Sequence, residues 1–223
     1  MDNKDIYVKN FNLTLKQLLD LSIIDKIKIE LNSIITEFIK QKITITKIGS
    51  VKFLLFGPEK SKQSIVIKLG KILGEQFPKI LINNNKNLKI LNCGLLKLQN
   101  CKNKKDFDLI WLNNKNNTIY YRECKGNIQL DTEKLPATIK KIKELEKDLK
   151  NKYPKFKINS GIFNWSVFER EDLTEGSSHI ISCEKLDINV DHFKDFLVLI
   201  NIFWCKKDFY IFFRNIGKKI NNF

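Results

Sequence analysis

Apolar residues recur at spacings of three and four over two long stretches of the chain, and this pattern is typical of amphipathic helices. The first stretch covers residues 13–42 and predicts one or two helices. The second predicts a helix from Lys60 or Ser61 to Gln76. Pro78 is predicted to end this helix, because proline lacks the N–H group that continues a helix.

Shorter apolar runs bounded by turn signals predict strands. The runs Asp106–Leu112 and Thr118–Lys125 are separated by the Asn- and Lys-rich loop Asn114–Asn117, which predicts a β-hairpin. Other apolar runs precede this hairpin: Val51–Phe56, predicted as a strand or a buried extended run ending at Gly57-Pro58; Lys79–Ile82, predicted as a strand; and Leu88–Leu98, interrupted by Gly94.

Downstream of the hairpin, a lysine- and glutamate-rich helix is predicted to run to Lys152, with Asp131 or Thr132 as its N-cap and Pro136 in its first turn. The elements predicted after it are a strand over Lys157–Val167, a strand over His179–Cys183, a helix from Asp191 to about Phe203, and a last strand over Phe209–Phe213. This order predicts an α/β fold: a mixed β-sheet flanked by helices, with an N-terminal helical extension.

Length and charge add a partner class to this outline. The chain has 223 residues, enough to fill one core, and we treat residues 1–223 as a single domain. Its formal net charge of +15 suits a polyanion such as nucleic acid. However, nearly all of this charge is lysine, and abundant Lys, Asn and Ile are what an AT-rich genome gives any protein. Charge alone therefore favours nucleic-acid binding only modestly.

The cysteines and the apolar runs bear on compartment. The five cysteines are odd in number and show no CxxC spacing, which argues against a disulfide framework or a zinc knuckle. Reduced thiols predict an intracellular, cytoplasmic location. No uncharged apolar stretch of about 18 residues is present, and the N-terminus has no apolar signal core, so we expect neither a membrane span nor secretion.

The predicted hairpin brings charged side chains together. If Asn114–Asn117 form a four-residue loop, Asn113 pairs with Thr118, and counting inward places Asp108 directly opposite Glu123. Directly opposed residues share a face of the sheet. Lys125, two residues beyond Glu123, lies on that face too, because side chains alternate along a strand. Cys124 points the other way, but its backbone carbonyl stays near the cluster.

Two carboxylates and a carbonyl are hard oxygen donors of the kind that Mg²⁺ prefers. A lysine beside such an ion can orient an attacking water molecule and stabilise the charge that develops on a phosphate. The alternative is a surface hairpin with an ordinary charged cluster. The apolar residues that flank the cluster on both strands make a solvent-exposed face less favourable: Ile110, Leu112, Ile119 and Tyr121.

The run Asp106-Phe107-Asp108-Leu109-Ile110-Trp111, followed by Tyr120-Tyr121-Arg122-Glu123-Cys124-Lys125-Gly126-Asn127, resembles the signature of the PD-(D/E)xK nucleases. The proline of that signature is absent, and Asp106-Phe107 stands in its place. The resemblance covers about Lys60–Phe168, where the predicted order of helices and strands matches the family's core. It gains specificity from the hairpin spacing and from the helix that follows.

By position, the resemblance implies that Asp108 and Glu123 bind Mg²⁺, together with the backbone carbonyl of Cys124, and that Lys125 is the catalytic lysine. It leaves two further acidic residues open. Asp106 is a rival for the first carboxylate, since strand parity places it on the face of Asp108, and Glu75 lies near the end of the preceding helix.

The resemblance also implies a restriction-endonuclease-like catalytic core over residues 58–168, preceded by a helical extension over residues 1–50. The apolar positions of this extension would form a dimer interface or pack against the chain's own core, and the sequence leaves both open. No residue is assigned to base recognition.

Among these nucleases the chain looks most similar to type II restriction endonucleases. This implies Mg²⁺-dependent hydrolysis of both strands of double-stranded DNA at a short specific site, leaving 5′-phosphate and 3′-hydroxyl ends. A homodimer facing a palindromic site is the simplest assembly. Two alternatives remain: a DNA repair or recombination nuclease of the same fold, and a non-catalytic basic DNA-binding protein in which the charged cluster is structural.

Overall fold

The computed structural model describes residues 15–41, 54–55, 57, 62–98, 103–128, 134–174 and 177–221. Its helices are α1 (Leu15–Gln41), α2 (Lys62–Lys71), α3 (Phe77–Asn83), α4 (Lys134–Lys152), α5 (Ser177–Glu184), α6 (Phe193–Leu199) and α7 (Lys206–Asn221). Its strands are β1 (Leu88–Ile90), β2 (Gly94–Leu96), β3 (Lys105–Phe107), β4 (Leu109–Asn113), β5 (Thr118–Lys125), β6 (Lys157–Asn164) and β7 (Asn189–His192). A π-helical turn, Ile72–Gln76, joins α2 to α3, and Arg170–Asp172 form a short 3₁₀ turn.

Five strands form one mixed sheet in the order β1-β4-β5-β6-β7, and β2 and β3 form a separate two-stranded ribbon. Strand β4 pairs antiparallel with both β1 and β5, whereas β5, β6 and β7 run parallel to one another. Helix α4 connects β5 to β6 and α5 connects β6 to β7, because parallel strands need a crossover. The predicted α/β class, a mixed sheet flanked by helices, is confirmed.

Each face of the sheet packs against its own core. The aromatic core lies on the face covered by α1, α3, α6 and α7 and includes Trp111, Phe163 and Phe193. The aliphatic core lies on the face covered by α4 and α5 and includes Ile110, Ile142 and Ile162. Side chains along β5 alternate between the two, since a strand has a side-chain period of two.

Helix α1 is a single helix, and its buried residues belong to the aromatic core: Ile24, Ile27, Leu31 and Ile35. It packs against α3 and α7, and an ion pair between Lys28 and Asp208 joins it to α7. The buried face of the N-terminal extension is therefore used within the chain, and a dimerisation role stays a prediction. Within the described ranges, none of the helices has the length and apolarity that crossing a membrane would require.

The sequence predicts that Pro78 ends the second helix, and this prediction is wrong. The helix passes through the π-helical turn and continues as α3, with Pro78 in the first turn of α3. Pro78 follows directly after the π-helical turn, so its missing N–H group falls where the hydrogen-bonding pattern changes from one helix type to the other. The strand expected over Lys79–Ile82 is therefore wrong, and Leu81 and Ile82 are buried on α3 instead.

Several other predicted strands are helices. A short apolar run is equally compatible with a buried strand and with one side of a helix, and here the helix forms. The segments concerned are His179–Cys183, which lies in α5; Phe209–Phe213, which lies in α7; and Leu54–Leu55 from the run Val51–Phe56, whose other residues lie outside the described residues.

Element boundaries differ more modestly elsewhere. The strand expected over Lys157–Val167 ends at Asn164. The helix expected from Asp191 to Phe203 spans only Phe193–Leu199, because the residues before it belong to β7. Helix α4 ends at Lys152 as predicted, with Pro136 in its first turn, while its proposed caps Asp131 and Thr132 lie outside the described residues.

Candidate active site

The hairpin between β4 and β5 has the predicted register. Asn113 pairs with Thr118 across a turn formed by residues 114–117, and pairing continues inward to Leu109 opposite Arg122. The next position on each strand places Asp108 level with Glu123, as the loop length predicts. The ladder stops there, and Asp108 itself separates β3 from β4. Asp108 instead accepts a hydrogen bond at Oδ2 from the backbone N–H of Cys124, at 2.8 Å.

The break at Asp108 changes which residues share its face. Phe107 and Ile110 both lie in the aliphatic core although they are three residues apart, so the side-chain alternation shifts between them. The parity argument for Asp106 therefore does not hold. Asp106 lies in β3 opposite Leu95 of the separate ribbon, where it is exposed to solvent.

Glu123 is the centre of the cluster. Its buried carboxylate receives the ammonium of Lys125 at Oε1, at 3.0 Å, which agrees with the predicted alternation along β5. At Oε2 it receives two further donors, the hydroxyl of Tyr121 and the ammonium of Lys141, each at 2.6 Å. One carboxylate thus accepts hydrogen bonds from two ammonium groups and a phenol hydroxyl.

Lys141 and Tyr121 were not among the site residues expected from the sequence. Tyr121 shares its face of β5 with Glu123 and Lys125, so the same alternation could have found it. Lys141 lies on α4 between Thr138 and Leu145, which are buried three residues before it and four after it. A lysine inside the buried stripe of an amphipathic helix is the signal that could have identified it, because lysine is rarely buried without a partner.

The electrostatic environment separates the two carboxylates. Burial, and then the charge of Glu123, raise the pKa of Asp108 to about 6. Burial also works to raise the pKa of Glu123, but Lys125, Lys141 and the Tyr121 hydroxyl together hold it below its usual value. The ionised form of Asp108 is therefore less favoured than that of Glu123, and a nearby cation would stabilise it.

Cys124 contributes backbone atoms rather than its thiol. Its side chain packs against the aromatic core, and burial followed by the charges of Asp108 and Glu123 raises the pKa of the thiol well above its usual value. The backbone N–H of Cys124 points to Asp108. In an extended strand the N–H and C=O of one residue point to the same side. The Cys124 carbonyl is therefore directed toward Asp108, as the sequence-based hypothesis requires.

Glu75 lies in the π-helical turn that packs against β5, and its charge is among those that raise the pKa of the Cys124 thiol. The ring of Trp165 lies against both this turn and the end of β5. A Cβ atom added to Gly74 would lie 2.5 Å from the Trp165 ring, and one added to Gly126 would lie 2.8 Å from it. Only glycine therefore lets the ring pack between the π-helical turn and the end of β5, which keeps Glu75 near the cluster.

The residues present suit a small, hard divalent cation. Asp108, Glu123 and the Cys124 carbonyl supply oxygen donors, and Mg²⁺ binds through few carboxylates while it keeps several water molecules. A cation there would also offset the burial of the Asp108 carboxylate and its repulsion by Glu123, which together raise the pKa of Asp108. In the part of the chain that the structure describes, no group of three or more His, Cys, Asp or Glu side chains is placed to hold a metal ion, so the site would depend on the carbonyl and on water.

A row of polar residues continues from Lys125 across the sheet. Lys125, Asn164 and His192 occupy matching positions at the carboxyl ends of the parallel strands β5, β6 and β7. Asn164 and His192 are each 1% exposed. Among the described residues, neither amide atom of Asn164 has a hydrogen-bond partner, nor does Nε2 of His192. The carboxyl ends of parallel strands are where α/β sheets usually bind ligands.

A scan of the chain against models of known protein families found no match, and a search of curated proteins found no relative.

Proposed function

We propose that this protein is a Mg²⁺-dependent endodeoxyribonuclease of the type II restriction kind, which hydrolyses both strands of double-stranded DNA at a short site. The observation that carries the proposal is the cluster at the end of the hairpin, where Asp108, just before β4, lies beside Glu123 and Lys125 of β5. The resemblance of this segment to the PD-(D/E)xK signature supports the same reading.

In this proposal Asp108, Glu123 and the Cys124 carbonyl would hold the cation, which would supply an activated water molecule and polarise the phosphate. Lys125 stabilises the negative charge that develops on the phosphate oxygens, as a preorganised cation within the site. Attack by water forms the new P–O bond as the bond to the 3′ oxygen breaks, which leaves 5′-phosphate and 3′-hydroxyl ends.

The charge of the chain supports a DNA substrate. The formal net charge is +15, and α4, which contributes Lys141 to the cluster, also carries exposed lysines at positions 134, 140, 143 and 147. Such lysines gain affinity for a polyanion by releasing its condensed counterions. We place the activity inside the cell, since the four described cysteines are free thiols.

Cleavage of both strands at a palindromic site suggests a homodimer, because one site cuts one strand. The buried face of α1 already packs within the chain. A dimer contact through α1 would therefore use its opposite face, where Ile29 is exposed.

One observation favours a different function. Both oxygens of Glu123 already have hydrogen-bond donors, which is also what a purely structural cluster in a non-catalytic basic DNA-binding protein would show.

Incubation of the protein with plasmid and phage DNA in Mg²⁺ tests the proposal, beside Lys125→Ala and Asp108→Ala variants and the control Lys185→Ala, which changes an exposed lysine in the turn after α5. We expect discrete fragments from the parent and from Lys185→Ala, and none from the other two. Circular dichroism spectra that match the parent exclude misfolding as the cause.

Other outcomes identify other functions. Cleavage of branched junctions but not of linear duplexes indicates a repair or recombination nuclease. DNA binding without cleavage in Mg²⁺ or Mn²⁺ indicates the non-catalytic protein and overturns the proposal.

A further inference from the structure

Both oxygens of the Glu123 carboxylate already accept hydrogen bonds. Oε1 accepts from Lys125, and Oε2 accepts from both Tyr121 and Lys141. A divalent cation that binds Glu123 therefore meets two ammonium groups on the same carboxylate, and repulsion between like charges favours the departure of one of them. The ammonium that leaves belongs to a residue whose role the nuclease signature does not assign.

Tyr121 is the least able to move. Its side chain is fully buried and lies against the ring of Phe107, with ring centroids 5.7 Å apart. Lys125 is bonded to the other oxygen and is already assigned to the phosphate. Lys141 shares Oε2 with Tyr121 and reaches it from a different element, α4, through a flexible four-carbon side chain.

The surroundings of Lys141 allow it to leave. Its side chain is 20% exposed, so part of it already reaches solvent. An ammonium and a divalent cation at the same oxygen repel each other. The neighbouring Lys140 and Lys143 are exposed on the same helix. An ammonium displaced from Glu123 can therefore reach the solvent beside α4, where these lysines would attract DNA phosphates that offer it a new partner.

We propose that Lys141 is an exchangeable partner of Glu123: it neutralises the carboxylate until a divalent cation binds there, and it then pairs with a phosphate oxygen of the DNA backbone. This inference rests on the proposed nuclease function. It makes Lys141 a further substrate-binding residue, contributed by the helix after the hairpin.

The first test measures cation binding without DNA. Isothermal titration calorimetry with Mn²⁺ compares the parent with Lys141→Met and with Lys140→Met, which removes the same charge one residue away. We expect Lys141→Met to bind Mn²⁺ about tenfold more tightly, because the competing ammonium is gone. Lys140→Met should match the parent. Lys141→Gln, which still carries a hydrogen-bond donor, should lie between them and replaces Lys141→Met if that variant does not fold.

The second test measures binding of a duplex oligonucleotide at several salt concentrations. With Ca²⁺ present, the logarithmic salt slope of Lys141→Met should be smaller than that of the parent by about 0.9, the value for one phosphate contact. Without divalent cation the two slopes should agree, because Lys141 is then bound to Glu123. A slope difference that is independent of the cation contradicts the exchange.

The outcomes separate this inference from the proposed function. In one outcome, the parent binds Mn²⁺ and cleaves DNA while Lys141→Met binds Mn²⁺ no more tightly than Lys140→Met. That result contradicts the exchange of Lys141 and leaves the proposed nuclease function intact. If the parent neither binds Mn²⁺ nor cleaves DNA, the proposed function fails and the exchange fails with it.

Discussion

Arg122 and Glu123 are neighbours on the same strand, and both are buried charges, yet they lie on opposite faces of the sheet in different settings. Arg122 faces the aromatic core and Glu123 the aliphatic side. Burying a charge is costly unless it is paired and hydrogen-bonded. Both residues meet this requirement, so burial alone does not tell a structural charge from a candidate functional one.

The partners of Arg122 are fixed. Its Nε donates to Asp191 at 2.6 Å, and Nη1 donates to the backbone carbonyls of Tyr121 and Asn159, both at 2.9 Å. Nη2 donates to the Asn159 side chain at 2.8 Å. The guanidinium also lies 5.9 Å from the ring of Trp111. These partners all belong to strands of one sheet, and the two backbone carbonyls cannot leave without disturbing the sheet itself.

Two of the three partners of Glu123 are able to leave. The side chains of Lys125 and Lys141 are 26% and 20% exposed, so their ammonium groups have water as an alternative. Asp108 adds a second carboxylate whose ionised form is disfavoured. The difference suggests that a buried charge held by exchangeable side chains marks a site of binding, whereas one held by the backbone and a rigid sheet marks a structural element.

The largest effect on stability should follow removal of the arginine. We expect Arg122→Met to lower the free energy of unfolding by about 3–5 kcal/mol, because Asp191 is left without its buried partner. Urea unfolding measures this loss. Arg170→Met is the matched control: its ion pair with Glu184 is exposed, and such pairs contribute about 0–1 kcal/mol. Equal effects at the two arginines would contradict the structural role of Arg122.

The next largest effect is a gain in stability, and it follows removal of the charge on Asp108. The pKa of Asp108 is raised from 3.8 to about 6, so the folded protein binds a proton more tightly than the unfolded chain does. Between these two pH values the unfolded chain has released that proton and the folded protein retains it. The free energy of unfolding therefore falls as pH rises through this window, and Asp108 destabilises the fold at neutral pH.

Asp108→Asn removes this destabilisation while its side-chain oxygen still accepts the hydrogen bond from Cys124. We expect the variant to be more stable than the parent at pH 7.5 by about 1–3 kcal/mol, with a smaller difference at pH 5. Cleavage should be lost. Glu123→Gln should instead destabilise the protein, because the low pKa of Glu123 reflects partners that favour its charge. Thermal unfolding at the two pH values checks both, and a less stable Asp108→Asn would refute the assignment.

The sequence was sufficient for the parts of the site that depend on one hairpin. The four-residue turn fixed the register of Asp108 and Glu123, and strand alternation placed Lys125 beside Glu123. Lys141 could not be placed in the same way, because its contact depends on how α4 packs across the sheet. Nor did the alternation reveal the break at Asp108, which moved Asp106 away from the expected face.

The overall class followed from the order of elements, whereas the identity of short apolar segments did not. Residues 209–213 are apolar enough for a strand, but Phe209, Phe212 and Ile216 are buried at helical spacing in α7. Which form such a segment takes is decided by its partners, here α1 and the aromatic core. The effect of Pro78 likewise depends on its surroundings, because the π-helical turn before it lets the helix continue.

The smallest expected change in stability is at Asn164, which is buried like Arg122 but differs from it in its hydrogen bonds. Whereas every nitrogen of Arg122 has a partner, among the described residues neither amide atom of Asn164 has one. An unsatisfied buried polar group costs about 1–3 kcal/mol, so Asn164→Leu, which has a similar size, should raise the free energy of unfolding by about 1 kcal/mol. Urea unfolding measures the gain.

Asn164→Leu also separates a structural residue from one retained for binding. Asn164 lies beside Lys125 in the register of β5 and β6. A polar residue that weakens the fold and adjoins the cluster is expected to matter for the substrate, so the stabilised variant should cleave DNA more slowly than the parent. Asn159, on the other face and bonded to Arg122, is the control: Asn159→Leu should lower stability. If Asn164→Leu lowers stability too, the Asn164 amide is hydrogen-bonded within the fold. The polar residues beyond Lys125 are then structural, like Arg122, and are not part of the candidate site around Glu123.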